Sequence, residues 1–176
     1  MQAIETLYNN QLFRSRLEAK WAAMFDLLGW DWYYEPFDLQ GYIPDFVLGF
    51  SPPLLVEVKP EMEFEELKKY EAKIENSGWD KEILIVGARI FEVNSLPVLG
   101  SLGEIWENGS RWFGHGIIHK CTKCGSYSIR HEWGSWHCRK SGCYDGNHYL
   151  EDLEKETIDR LFKIAYRDTR WMPNSK

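Results

Sequence analysis

The chain has 176 residues, 44% hydrophobic and 27% charged, enough to bury a full core without staples. It has no run of 18 apolar residues and no charged segment followed by an apolar stretch and a small-residue cleavage site. Those absences argue against a membrane span or an export signal and lead us to expect a cytoplasmic protein. A net charge of −6 disfavours nonspecific binding to nucleic acid, yet the charge is uneven. Residues 1–110 hold 9 Lys/Arg against 19 Asp/Glu, residues 111–150 hold 6 against 2, and the last 26 balance at 6 against 6.

From Tyr8 to Leu28, Leu17, Trp21, Met24, Phe25 and Leu28 recur at helical spacing, and Gly29 ends the run. Glu18 lies beside the apolar stripe. Its bland reading is a solvated flank residue with Arg14 as its i−4 partner. Trp30–Phe37 reads as an aromatic strand closed by Pro36. Two short apolar runs follow, Tyr42–Leu48 and Leu54–Pro60, joined by Gly49-Phe50-Ser51-Pro52-Pro53. They carry Asp45, Glu57 and Lys59. In a strand, Glu57 and Lys59 share one face and Val56 and Val58 the other. Charges converging at the end of an apolar strand pair are costly without a compensating ion, which a divalent metal would supply. The bland reading is a surface salt bridge on an edge strand.

Glu63 to Ser77 form a second helix with Phe64, Leu67, Tyr70 and Ile74 on one face, ended by Gly78. Glu82–Gly87 is a nearly continuous apolar run, as expected of a strand buried on both faces. The order predicts a mixed α/β core in which the second helix crosses over to a parallel strand. Residues 88–112 fit a further strand or a bridging loop equally well. Glu151–Tyr166 reads as a final helix. The expected units are a core at 1–112, a cysteine segment at 113–150, and a C-terminal helical segment at 151–176.

Cys121, Cys124, Cys138 and Cys143 form two close pairs separated by 13 residues, with Gly125 suited to the turn after the first. This spacing suits a closed tetrahedral thiolate site for structural Zn²⁺, with a hairpin over Ser126–Trp136. Disulfides or free structural thiols are the alternative. His119, His131, His137 and His148 would matter as ligands only if one cysteine failed. Lys120, Lys123, Arg130, Arg139 and Lys140, interleaved with Tyr127, Trp133, Trp136 and Tyr144, offer a surface for phosphates and bases; partner docking and structural bracing are the competing roles.

With Glu18 on a helix, Pro44-Asp45 on one strand and Glu57-Val58-Lys59 on its neighbour, residues 10–90 resemble the PD-(D/E)xK nuclease superfamily. The segments Phe13–Ala19, Tyr34-Glu35-Pro36, Tyr42–Phe46 and Val56–Pro60 look like those of small nuclease-like proteins often encoded by bacteriophages and actinobacteria. The resemblance implies a restriction-endonuclease-like mixed sheet flanked by helices, with a four-cysteine zinc ribbon inserted. It implies that Asp45, Glu57 and the Val58 carbonyl bind Mg²⁺ or Mn²⁺, that Glu18 joins them directly or through water, and that Lys59 handles the attacking water. Tyr70 or Lys69 would orient substrate. The expected function is a metal-dependent DNA endonuclease acting on its own, as a homodimer or in a nucleoprotein assembly. The alternatives are a silent nucleic-acid-binding or docking protein of the same fold, or an endonuclease subunit of a recombination or transposition complex.

Overall fold

The computed structural model describes residues 3–133, 137–140, 143 and 150–169. A hairpin of β1 (Thr6–Tyr8) and β2 (Gln11–Phe13) precedes α1 (Arg16–Leu27). Next come β3 (Trp32–Tyr34), β4 (Phe46–Leu48) and β5 (Leu54–Val58). A 3₁₀ turn at Phe64–Leu67 leads into α2 (Lys68–Glu75), followed by β6 (Glu82–Val93), β7 (Leu96–Ile105) and β8 (Arg111–Cys121). The last described elements are β9 (Tyr127–His131), β10 (Leu150–Asp152) and α3 (Lys155–Asp168). Among the described residues no helix is long and apolar enough to cross a membrane.

The architecture is a mixed α/β fold built on one eight-stranded sheet ordered β10-β8-β7-β6-β5-β4-β3, with β9 also paired to β8. β5 and β6 run parallel, through α2, while the other pairings in this sheet are antiparallel. Strand alternation explains the apolar runs. Leu54, Val56, Val58, Leu84 and Val86 face a core completed by α1 and α3, through Trp21, Phe25, Ile158 and Phe162. Leu55, Ile83 and Ile85 face a second core with Leu67 and Ile74. Both faces of the central strands are therefore covered.

Four sequence expectations are changed or resolved. The helix does not reach back to Tyr8. Asn9 and Asn10 both take left-handed backbone (φ 47° and 62°), which makes the tight turn of the β1–β2 hairpin. The helix starts only after Ser15, whose Oγ accepts the Glu18 N–H at 3.1 Å. Ser15 is thus the N-cap, and Ser15-x-x-Glu18 is a start signal outweighed by the apolar periodicity around it. The Glu82 strand runs on past Gly87 to Val93 because its pairing with β7 shifts between Val86 and Phe91. A Cβ on Gly87 would sit 2.5 Å from the Phe91 ring and 2.7 Å from the Glu61 carbonyl, so this close approach needs glycine. The ambiguous stretch 88–112 is strand, turned by Asn94-Ser95 (φ 51° and 65°) and again around Gly109. Finally, Leu150–Asp152 pairs with β8, so the last helix begins at Lys155 rather than Glu151.

The cysteine segment hangs from the same sheet. β8 pairs with β7 at one stretch and carries β9 and β10 at its far end, and Cys121 is its last residue.

Candidate functional site

The β4–β5 hairpin has a turn end, Gly49–Pro53, and an open end where Asp45 precedes β4 and Lys59 follows β5. The charges gather at the open end. Asp45 is only 6% exposed; its Oδ2 accepts the Val58 N–H at 2.8 Å and its Oδ1 accepts from Arg14 Nη2 at 2.9 Å. Glu57 accepts from the Tyr42 hydroxyl at 2.6 Å and is ion-paired with the Lys59 ammonium. Glu18 comes from α1 on the opposite face of the sheet. Its carboxylate accepts from the Tyr34 hydroxyl at 2.7 Å and the Ser15 hydroxyl at 2.9 Å. Tyr34 in turn accepts the Arg14 backbone N–H at 3.1 Å, which links Glu18 to the Arg14–Asp45 pair.

The electrostatics follow from burial. Asp45 is pushed up to about 7, first by burial and then by the charge of Glu57, with Glu18 adding to it; the Val58 N–H and Lys59 pull the other way. Burial pushes the Tyr34 hydroxyl up to about 12, and burial together with Glu57 raises Tyr42 further. Both tyrosines therefore stay protonated donors. Two buried carboxylates and a lysine with this balance suit a hard cation that takes oxygen ligands. Each carboxylate is nevertheless held by protein partners. Among the described residues, only the cysteines bring three or more ligand-type side chains within 4.8 Å of one another.

Tyr70 and Lys69 come to the edge of this cluster. The Lys59 ammonium lies 5.2 Å from the Tyr70 ring centroid. Both α2 residues bind Glu61, the Tyr70 hydroxyl at 2.5 Å and Lys69 Nζ at 2.9 Å. Arg14 departs from its expected role. It precedes the helix, so it does not pair with Glu18 at i+4; its guanidinium binds Asp45 and Glu35 instead. Sequence reasoning also passed over Tyr34, Tyr42 and Glu61. Sequence gives no direction for the Tyr34 and Tyr42 hydroxyls, while Glu61 continues the alternation Glu57, Lys59, Glu61 that could have marked it.

The sulfurs of Cys121, Cys124, Cys138 and Cys143 all lie within 4.8 Å of one another, with Cys121–Cys143 at 3.8 Å and Cys124–Cys138 at 3.6 Å. A tetrahedral zinc with bonds of about 2.3 Å sets its sulfurs about 3.8 Å apart, so the donors fit. None of the four is in a disulfide. Gly125 (φ 72°) returns the chain so that its N–H meets the Cys121 carbonyl at 2.9 Å.

The basic surface separates into two groups. Lys120, Lys123 and Lys140 are exposed. Arg139 is not a surface group: it is 2% exposed, ion-paired with Glu82 and 3.1 Å from Glu104. Arg130 is turned inward as well, with Nε donating to the His137 carbonyl at 2.6 Å and Nη1 3.6 Å from Glu104; burial and Arg139 pull it down to about 10. The reason is the two buried carboxylates on β6 and β7, which need counterions. Beside them lies a cavity of about 590 Å³ lined in part by Trp106 and the exposed Trp133. Trp136, Tyr144 and His148 lie outside the described residues.

The cysteine segment meets the core at the turn end of the hairpin. Trp30 Nε1 donates to the Tyr127 carbonyl at 2.9 Å, and the Arg139 guanidinium sits 5.6 Å from the Phe50 ring. The length of β5, about 13 Å, separates this docking from Glu57 and Lys59. No protein-family model matches the chain, and neither does any curated protein or solved structure.

Proposed function

We propose that this protein is a Mg²⁺- or Mn²⁺-dependent DNA endonuclease of the PD-(D/E)xK type, with a restriction-endonuclease-like core and an inserted four-cysteine zinc ribbon. The observation that carries the reading is the meeting of Asp45, Glu57 and Lys59 at the open end of one hairpin, with Glu18 arriving there from a helix on the other face. Asp45 and Glu57 are the oxygen donors for the cation, joined by the Val58 carbonyl, and Glu18 supports them directly or through water. When bound, such a cation lowers the pKa of water and stabilises charge on a phosphate. Lys59 orients the attacking water and adds positive charge beside the reacting phosphorus. Tyr42 fixes the Glu57 carboxylate, and the Val58 N–H fixes that of Asp45.

Zinc in the thiolate cluster would be closed to substrate and therefore structural. Lys120, Lys123 and Lys140 are the remaining residues of the segment for contact with DNA phosphates. The test is incubation of the full chain with supercoiled, linear, branched and single-stranded DNA in Mg²⁺ and in Mn²⁺. Cleavage that disappears in Asp45→Ala and Lys59→Ala is the expected result; undiminished cleavage by both variants overturns the proposal. A second reading, a subunit active only within a larger assembly, is favoured by the Arg14 guanidinium lying on Asp45. Cleavage that appears only with a partner protein selects it.

A further inference from the structure

We infer that Arg14 is the resident counterion of the acidic cluster: it holds Asp45 Oδ1 until a divalent cation takes that atom, then remains at the rim to meet the DNA phosphate. The inference rests on the nuclease reading above and adds a residue and an exchange step to it.

Three observations support the exchange. The two oxygens of Asp45 are used differently: Oδ2 faces a backbone donor, the Val58 N–H, whereas Oδ1 faces an exposed side chain. Oδ1 is therefore the atom from which a partner can be removed without disturbing the sheet. Arg14 is 58% exposed and Asp45 only 8% at the side chain, so the guanidinium lies on the solvent side of the carboxylate, where a cation must arrive. The guanidinium is also held twice. Its Nε is ion-paired with Glu35 Oε1 at 2.6 Å, without hydrogen-bond geometry, so release of Nη2 from Asp45 leaves the guanidinium beside a second carboxylate at the mouth of the site.

Glu35 is placed for this. It takes left-handed backbone (φ 43°), uncommon for a residue other than glycine, while its N–H donates to the Asp45 carbonyl at 3.0 Å. Formal charge points the same way. Glu18, Glu35, Asp45 and Glu57 face Arg14 and Lys59, which leaves −2 and room for a dication with Arg14 still present. The fork of an arginine also suits a phosphate better than a point charge does.

The test uses the full zinc-loaded chain and follows Mn²⁺ binding by calorimetry, together with duplex DNA binding by fluorescence anisotropy in Ca²⁺. Wild type is expected to bind Mn²⁺ at one site that Asp45→Asn abolishes. Arg14→Ala removes the competitor and a like charge, so its Mn²⁺ affinity rises about three- to tenfold, with Arg14→Lys between the two. Merely structural damage would weaken binding instead. DNA affinity of Arg14→Ala falls about three- to tenfold, the worth of one charge-assisted contact. Unchanged or weaker Mn²⁺ binding by Arg14→Ala overturns the exchange, and unchanged DNA affinity overturns the phosphate role. Wild type with no Asp45-dependent Mn²⁺ site overturns the nuclease reading itself, a different result from either.

Discussion

At the turn end of the β4–β5 hairpin, Glu82 and Glu104 meet Arg130 and Arg139, and the charges balance. At the open end, among the described residues, Glu18, Glu35, Asp45 and Glu57 face the cations Arg14 and Lys59. The first cluster is finished by the protein alone, with its central arginine 2% exposed. The second is left short of positive charge, and burial together with Glu57 pushes Asp45 up to about 7. Evenly paired buried charge fixes one arrangement of chain segments, here the cysteine segment against β6 and β7. Underpaired buried charge costs stability, which is the ground on which we propose that a cation completes the second cluster. The same residue types on adjoining strands thus do different work, and the count of counterions separates the cases.

That contrast can be attacked at both ends. The largest effect is expected from stripping the metal that the four thiolates would hold, since a structural zinc contributes on the order of 10 kcal/mol of binding free energy at neutral pH. Calorimetry with a strong chelator should show the single unfolding transition lost or split, because Arg139 follows Cys138 and loses its placement with it. Next is Arg139→Ala, which leaves Glu82 and Glu104 buried against Arg130 alone and should cost about 3–5 kcal/mol in urea unfolding. At the open end the sign reverses. Asp45→Asn removes an underpaired buried charge, so metal-free protein at pH 8 should gain on the order of 1 kcal/mol rather than lose it.

The finest test is the pH dependence behind that gain. The folded-state pKa of Asp45, about 7, lies above its ordinary 3.8, so the folded state favours the protonated form. The stability this contributes is fully present below about pH 4 and is lost as pH rises to about 7. The fall over that window should be shallower in Asp45→Asn and in wild type with Mg²⁺ present, measured by denaturant titration across pH.

Much of this was legible before any coordinates. The run Trp30–Lys59 carries strong local signals, so three antiparallel strands and the parallel partner at Glu82 follow from Gly and Pro punctuation and apolar runs. The four cysteines announce their cluster by spacing. What could not be read was which charges pair. Arg130 and Arg139 look like a basic surface in sequence because the carboxylates that bury them, Glu82 and Glu104, lie tens of residues away. Helical periodicity suggests an Arg14–Glu18 pair, but Arg14 precedes the Ser15 cap, and a residue outside the helix has no i+4 neighbour on it. Tyr34 on β3 and Tyr42 before β4 could not be matched to Glu18 and Glu57 because a ring gives no sign in sequence of where its hydroxyl points.

The most direct measurement is the rate of DNA cleavage in Mg²⁺ by Asp45→Asn beside wild type, with the thermal stability of both preparations recorded. A loss of about a thousandfold or more in rate is expected from a variant that melts no lower than wild type at pH 8. Cleavage by Asp45→Asn at the wild-type rate would contradict the nuclease reading.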